Sequence, residues 1–564
     1  MSQGETSATA GIDREFHAWL FAAKGIQNYI FGAGMLRDLI GASDLVAGVT
    51  SSDGDDLIGA VLAALDHPLG PSPVFSRRAG AAFCVHGPSA ALSEIRSQFT
   101  LTVATILPGL EYNDALGAGS TELGAMRDAF RKVGGLRSNS SASVLPLGRP
   151  VMRIAALTGR PATTRFVYRR EDTEEVVLLD AVMSPQRRRA DELQGMTDGV
   201  ANRFLPANSV AVDMEYSFPR TLRENLPDTH DNPWFPWRKG VESSTEDHRV
   251  AIVHADISGL GEAFQRLGST FSSAKQNYNL ATAIERAILA AAQQACREVL
   301  MPAAEVRIKQ SDDQEKKKAI IPARPIVLGG DDVTVIVRAD LAIDFASRLL
   351  ELIEETTSHE EIGGLSACAG VAIVGRGTPF FVGNALAESL CSYAKREAKR
   401  MERSRGEAWP SALAFHLQTH GKQEDYQTDV LPGLEVDDLM LTANPYAVGE
   451  KSSARMKRAS VAQLKGLASS IAAIPGARTA LRTVELTLAR GSSAASLGQW
   501  RRWRSSAARH SPESLFRMDE AIAAIVGWEV IGDYNLPSAN GTTPLFDALR
   551  LLRIGAASAR LVAA

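Results

Sequence analysis

Residues 322–338 read PARPIVLGGDDVTVIVR, two short β-branched runs joined by Gly329-Gly330-Asp331-Asp332. Such runs around a Gly-Gly turn specify a β-hairpin with strands at Pro325 to Leu328 and Val333 to Val337. Two adjacent carboxylates then sit at its tip, where a metal-dependent nucleotidyl-transfer enzyme needs them. Gly and Asp are also ordinary turn residues, so on the tetrapeptide alone a solvated turn fits equally well.

A third carboxylate lies upstream in HRVAIVHADISGLGEAF, residues 248–264. Val250 to Ile257 reads as a buried strand that delivers Asp256 at its end. The chain then enters a helix through Ser258-Gly259-Leu260-Gly261. Backbone amides at such a helix start favour a phosphate group, although a lone Gly-x-Gly is a weak signal. If this strand lies beside the hairpin, three carboxylates converge, an arrangement that is costly unless divalent cations neutralise it. Two Mg²⁺ or Mn²⁺ ions there could activate an attacking hydroxyl and stabilise a leaving pyrophosphate.

The element order supports that adjacency. Tyr278 to Leu300 carries an apolar stripe at Leu280, Ile284, Ala287, Ile288 and Ala291 and predicts a helix. The charged run Lys309 to Lys318 predicts an exposed loop. After the hairpin come a helix from Asp340, a candidate N-cap, to Glu355, a strand Leu365 to Val374, a helix Val382 to Met401 and a strand near Ala412 to His416. This is βαββαβ, a ferredoxin-like palm with the hairpin at its centre.

On HADISGLG, VLGGDDVTVIV, AGVAIV and PFFVGNALAESLCSYAKREAKR, the stretch from about Arg249 to His420 resembles the catalytic palm of the CRISPR type III large subunit. That family is a cyclic-oligoadenylate-synthesising polymerase/cyclase, itself similar to GGDEF nucleotide cyclases. The resemblance implies that Asp256, Asp331 and Asp332 are catalytic, metal-binding carboxylates, with ATP as substrate. It further implies a nucleotide cradle of Ser258, Gly259, Gly261, Gly329 and Gly330, and a basic pair, Lys395 and Lys399, near the triphosphate. Those lysines share a helical face; Arg396, Lys399, Arg400 and Arg403 also read as a solvated basic helix end. Family members often carry a second Asp two residues after the first, where this chain has Ser258.

EFHAWLFAAKGIQNYIFGAGMLRDLIGASDLVAGV, residues 15–49, resembles the opening of the same family's first palm, and VFSRRAGAAFCVHG falls where its hairpin belongs. The turn Arg78 to Ala82 and the strand Phe16 to Ala22 hold no carboxylate, so this copy binds no metal in the same manner. It either holds a nucleotide or pairs with the active palm. Arg37 and Asp38 read equally as surface residues or an ion pair.

The expected fold is therefore α+β, with two ferredoxin-like palms, the second related to GGDEF cyclases, and a C-terminal α-helical domain. The expected domains are a degenerate first palm (12–114), an inter-palm region and linker (115–245), the catalytic palm (246–425) and a basic helical domain (426–564). At 564 residues, 45% hydrophobic and 22% charged, the chain can bury sizeable cores. A polar N-terminus and the lack of a long apolar run predict a cytoplasmic protein without membrane attachment. Four scattered cysteines suggest neither the zinc module common between the palms of relatives nor a disulfide framework. The one His-Asp dipeptide, His230-Asp231, lies in a Pro- and Trp-rich linker and does not make an HD nuclease. The run Arg187 to Arg189 reads as a solvated loop or a nucleic-acid contact.

From Lys451 onward there are 16 Lys/Arg against 7 Asp/Glu, whereas the whole chain is at −4. Such a basic tail suits RNA or other CRISPR effector subunits. Helices are expected at Val461 to Ile474, Arg478 to Ala489, Pro512 to Val526 and Pro544 to Ile554. In QWRRWR, residues 499–504, the tryptophans could stack on bases or anchor the helix in a core. Two alternatives to a cyclic oligonucleotide synthase stay open: a nucleotide-binding scaffold subunit, and a GGDEF-like dinucleotide cyclase.

Overall fold

The computed structural model describes residues 15–32, 34–49, 56–65, 74–77, 82–136, 152–170, 173–193, 199–206, 214–222, 235–237, 248–311, 314–329, 332–358, 362–400, 408–419, 421–491, 493–526, 536–538 and 541–555. The architecture is α+β and divides into two compact units. One comprises residues 1–29, 45–185 and 264–283; the other comprises 30–44, 186–263 and 284–564.

The first unit is built on β1 (Phe16–Lys24), β2 (Val74–Arg77), β3 (Ala82–His86) and β4 (Glu111–Gly119), in the antiparallel order β2-β3-β1-β4. Alternation along β1 divides its side chains between two cores. Trp19 and Phe21 join Phe83 and Phe99, the last from helix Ser89–Ile106, in an edge-to-face aromatic cluster. Ala18 and Leu20 instead pack with Cys84 against Leu123, Met126 and Ala129 of helix Glu122–Gly135. A separate hairpin, β5 (Ala162–Arg170) and β6 (Thr173–Asp180), completes the unit's strands.

The second unit holds β7 (Met214–Ser217), β8 (Arg249–Ser258), β9 (Glu305–Ser311), β10 (Gln314–Ile320), β11 (Ala323–Gly329), β12 (Asp332–Arg338), β13 (Ser366–Gly375), β14 (Ala412–Leu417), a small ribbon of β15 (Glu435–Val436) and β16 (Leu439–Met440), and β17 (Tyr446–Ala447). Its main sheet has the order β11-β12-β8-β13-β14-β17. The first four strands repeat the order of the other unit's sheet, as two βαββαβ palms should. Helix Phe380–Lys399 then carries the chain into β14, parallel to β13.

The glycine at the middle of β13 explains how closely that helix packs. A Cβ on Gly370 would lie 2.0 Å from the Ala387 carbonyl oxygen and 2.4 Å from the Cys391 nitrogen. Gly117 on β4 has the same relation to helix Glu122–Gly135, where a Cβ would fall 2.2 Å from the Ala125 oxygen. Both are strand glycines at a close backbone approach.

Several expectations are corrected. The charged stretch 309–318 is not a loop, because β9 and β10 pair through it and β7 adds in parallel to β10. Asp340 does not cap its helix; Ala339–Thr357 begins one residue earlier, and Asp340 pairs with Arg338 at 2.7 Å. Arg187 to Arg189 lies on helix Met183–Glu192 rather than on a solvated loop. The expected helices near the C-terminus are found at Val461–Ala472, Ala477–Ala489, Pro512–Val526 and Leu545–Arg553. Trp500 is fully buried, on helix Ser493–His510, and Arg504 is forked onto Asp519 at 2.5 and 2.8 Å, so this part of QWRRWR belongs to a core. The turn residues Arg78 to Ala81, the His230-Asp231 dipeptide and Arg403 lie outside the described residues.

Asp38 of helix Leu36–Ala47 and Arg187 are both 0% exposed and form a two-point ion pair, with Nη2 donating to Oδ2 at 2.6 Å. Burial pushes the Asp38 carboxyl above its usual range, and the Arg187 guanidinium opposes that shift. Removing one partner strands a buried charge, which costs about 3–5 kcal/mol. Arg187→Met should therefore lower the urea-unfolding free energy by about that amount, and Asp38→Leu/Arg187→Met should recover a large part of it. A loss below about 1 kcal/mol in the single variant would contradict this account of the pair.

Candidate active site

Asp256 occupies the third-to-last position of β8, between β12 and β13. It stands directly opposite Asp332 on one side and Cys368 on the other. Facing residues on antiparallel strands point to the same face with Cβ atoms about 4.5–5.5 Å apart. Two of the three proposed carboxylates are thus neighbours because the strand register makes them so. The third, Asp331, lies with Gly330 outside the described residues. Among the described residues no group of three His, Cys, Asp or Glu side chains is placed to hold a metal ion.

The face that carries Asp256 also carries Ile252 and His254, and helix Phe380–Lys399 covers it. Lys395 on that helix donates to Asp256 Oδ2 at 2.6 Å and to the Ile257 carbonyl at 3.1 Å. Both side chains remain partly exposed, Lys395 at 22% and Asp256 at 29%. Burial disfavours the Lys395 charge, but the hydrogen bond and charge of Asp256 outweigh it and raise its pKa above the ordinary lysine value. Lys399 is exposed one turn further along the helix, and Arg400 is paired with Glu397 at 2.7 Å.

His254 is buried beneath this pair, with Nδ1 3.1 Å from the Thr334 hydroxyl. Burial pushes its pKa down to about 4, against the pull of Asp256, so the imidazole is neutral at pH 7. Ser258 is only 3% exposed and its hydroxyl is 3.9 Å from Cys368 Sγ. Gly259 has φ +80°, a left-handed turn that suits glycine, and its carbonyl accepts the Ala263 amide at 2.9 Å as helix Leu260–Gly268 starts. A side chain at Gly261 would meet open space. Gly329 ends β11 and faces Asp332 across the hairpin.

The sequence pointed to Lys395 as a phosphate ligand but not to its ion pair with Asp256, which depends on a helix 139 residues further along the chain. It also missed the support of β11. Arg203 on helix Gly199–Phe204 donates to the Leu328 carbonyl at 2.5 Å, and the Ser43 hydroxyl donates to the Ile326 carbonyl. No periodicity or motif marks either residue.

Residues 249–403 match the family model described as Cas10/Cmr2, second palm domain. This segment is therefore similar to a second palm of the Cas10/Cmr2 kind. No curated protein sequence matches the chain. Among solved structures, a Csm1-Csm4 cassette in complex with cA4 is similar at 15% identity and a TM-score of 0.46, covering 97% of this chain and 71% of that one. A Csm1-Csm4 cassette in complex with AMPPNP gives 14% identity and a TM-score of 0.45, covering 96% and 70%. Csm1 in T. onnurineus gives 15% and 0.41, covering 98% and 71%.

Cys368 reports on the integrity of the sheet beside Asp256. Burial pushes its thiol up to about 11 and that of Cys84 up to about 12, and it raises Cys296 and Cys391 too. Only the thiolate reacts. At pH 8 iodoacetamide should leave all four cysteines of the native protein unmodified over an hour and label all four in guanidinium. Rapid native labelling of Cys368, read by peptide mass spectrometry, would show that this region is not closed as described.

Proposed function

We propose that the chain is a nucleotidyltransferase that joins ATP molecules into a cyclic oligonucleotide. The observation that carries this reading is the facing of Asp256 and Asp332 with a lysine against them, at the end of a sheet whose segment matches a Cas10/Cmr2 second palm. A 3′-hydroxyl attacks an α-phosphate; the new O–P bond forms as the bond to the β-phosphate oxygen breaks, pyrophosphate leaves and the hydroxyl proton passes to solvent.

Asp256, Asp332 and Asp331 form the anionic set for Mg²⁺ or Mn²⁺. The fit rests on hard oxygen donors at the site's rim and on two facing carboxylates, of which Asp256 is paired with Lys395. Divalent ions bound there would favour the ionised 3′-oxygen and neutralise the leaving pyrophosphate. Lys395 pairs with Asp256 in the free protein and, partly exposed, is the residue proposed to turn toward a triphosphate. The amides that open helix Leu260–Gly268, with Gly259 and Gly261 offering bare backbone, favour a phosphate. His254 stays neutral and leaves the site's charge to the carboxylates and the lysine.

Two observations favour the scaffold alternative: Lys395 already pairs with Asp256, and Ser258 turns its hydroxyl inward to Cys368. Incubation with each nucleoside triphosphate and Mg²⁺ or Mn²⁺, followed by mass spectrometry, separates the readings. Cyclic adenylates longer than two units are expected, with at least a ~100-fold loss in Asp331→Asn/Asp332→Asn. A cyclic dinucleotide would favour the GGDEF-like alternative, and no product from the wild type with retained ATP binding would favour the scaffold.

The partner proposed for the C-terminal helices is RNA. Helices Ala477–Ala489 and Ser493–His510 pack together, with Thr487 and Gln499 in contact at 3.2 Å. Arg478, Arg482, Arg490, Arg502 and Arg509 are exposed there, whereas Glu485, the one acidic residue of the two helices, is paired with Arg550 at 3.2 Å. Arginine forks with neighbouring Ser and Thr hydroxyls suit a phosphate backbone. Single-stranded RNA affinity should fall steeply with salt, and Arg482→Gln/Arg502→Gln should reduce the log–log slope by about 1–2. A slope unchanged by that variant would rule this surface out.

A further inference from the structure

We infer that Arg203 is a positioning residue for Gly329 and, across the hairpin, Asp332, acting through the edge of the palm sheet. This rests on the nucleotidyl-transfer reading of that hairpin. Asp332 is fixed on one side by β8, but β11, which leads into the turn, is the outermost strand of the sheet. It also carries two features that weaken an edge: Pro325, which has no N–H, and a register shift between Pro325 and Val327 that leaves Ile326 without a partner across the hairpin.

Side chains from outside the palm hold that edge. The Ser43 hydroxyl donates to the Ile326 carbonyl and Arg203 Nη2 to the Leu328 carbonyl, the last before Gly329. Arg203 is itself anchored at both ends of its short helix. Its carbonyl accepts from Gln293 Nε2 at 2.8 Å, and its guanidinium lies 3.7 Å from Glu285. The helix begins at Gly199, whose amide donates to Asp44 Oδ1 at 3.0 Å, and Asp44 Oδ2 accepts from Arg189 at 2.7 Å.

Gly329 and Asp332 face each other at the ends of β11 and β12, so their places are set by those strands. β12 is locked into the sheet, and β11 owes its outer restraint to Ser43 and Arg203. Misplacement of reacting groups by about 1 Å can cost on the order of 100-fold in rate. Arg189, Gly199 and Arg203, none of them a candidate ligand, thereby become part of the support of Asp332.

The experiment compares Arg203→Leu, Arg203→Lys and the wild type by hydrogen exchange of peptides spanning 323–338 and by steady-state kinetics with ATP and Mn²⁺. In Arg203→Leu, amides of this hairpin should exchange at least about tenfold faster while peptides of β8 and β13 stay unchanged. The kcat should fall about 10- to 100-fold with KM within about twofold, and Arg203→Lys, which keeps one donor, should restore most of both. Unchanged hairpin exchange in Arg203→Leu, or accelerated exchange with wild-type kcat, would overturn the inference. If the wild type forms no product, the nucleotidyl-transfer reading fails, and the exchange data still decide whether Arg203 holds the hairpin.

Discussion

Asp256 and Asp332 stand face to face on neighbouring strands, and like charges placed so repel each other. Asp256 and Asp332 are opposed by the register that aligns seven residue pairs between β8 and β12, so neither can move away without breaking the ladder. Lys395 pairs with Asp256, which it reaches because Gly370 lets its helix lie almost on the backbone of β13. A side chain at Gly370 would lift the helix and withdraw the charge. The sheet, the glycine and the lysine are thus parts of one electrostatic arrangement, and under the proposed function a divalent cation would take over the lysine's part when a nucleotide binds.

The first unit shows the same sheet without this cost. Counting from the matching glycines, Ala18 faces Gly117 as His254 faces Gly370, and two residues further Leu20 takes the place of Asp256. Leu20 and Cys84, its partner on β3, pack into the apolar core under helix Glu122–Gly135. At the hairpin end Ala22 faces Ala82, again without a charge. The order β2-β3-β1-β4 persists because it is held by hydrogen bonds and apolar burial, neither of which needs the carboxylates. What remains is a palm with a hydrophobic centre where the other has the facing pair Asp256 and Asp332.

Much of this was legible in the sequence where local pattern and tertiary structure agree. The hairpin at 323–338, the strand ending near Asp256 and the helices from Val461 onward follow from period and turn chemistry. The strands through 305–320 escaped because their charges hide the alternation, and β-pairing there depends on β7, which lies far earlier in the chain. Arg187 looked like part of a solvated run because its partner, Asp38, is 149 residues away and its burial cannot be inferred from neighbours. Of the proposed site, Asp256, Asp332 and Lys395 are brought together, whereas Arg203 and Ser43 act through backbone carbonyls that no motif encodes.

The central claim is that Asp256 and Asp332 together form a divalent-cation site for a bound nucleoside triphosphate. Mn²⁺ titration followed by electron paramagnetic resonance, in the presence of a non-hydrolysable ATP analogue, tests it directly. The account predicts tight Mn²⁺ binding in the wild type that weakens at least about tenfold in both Asp256→Asn and Asp332→Asn, with the fold of each variant intact by circular dichroism. Mn²⁺ binding of equal strength in the wild type and both variants would contradict it.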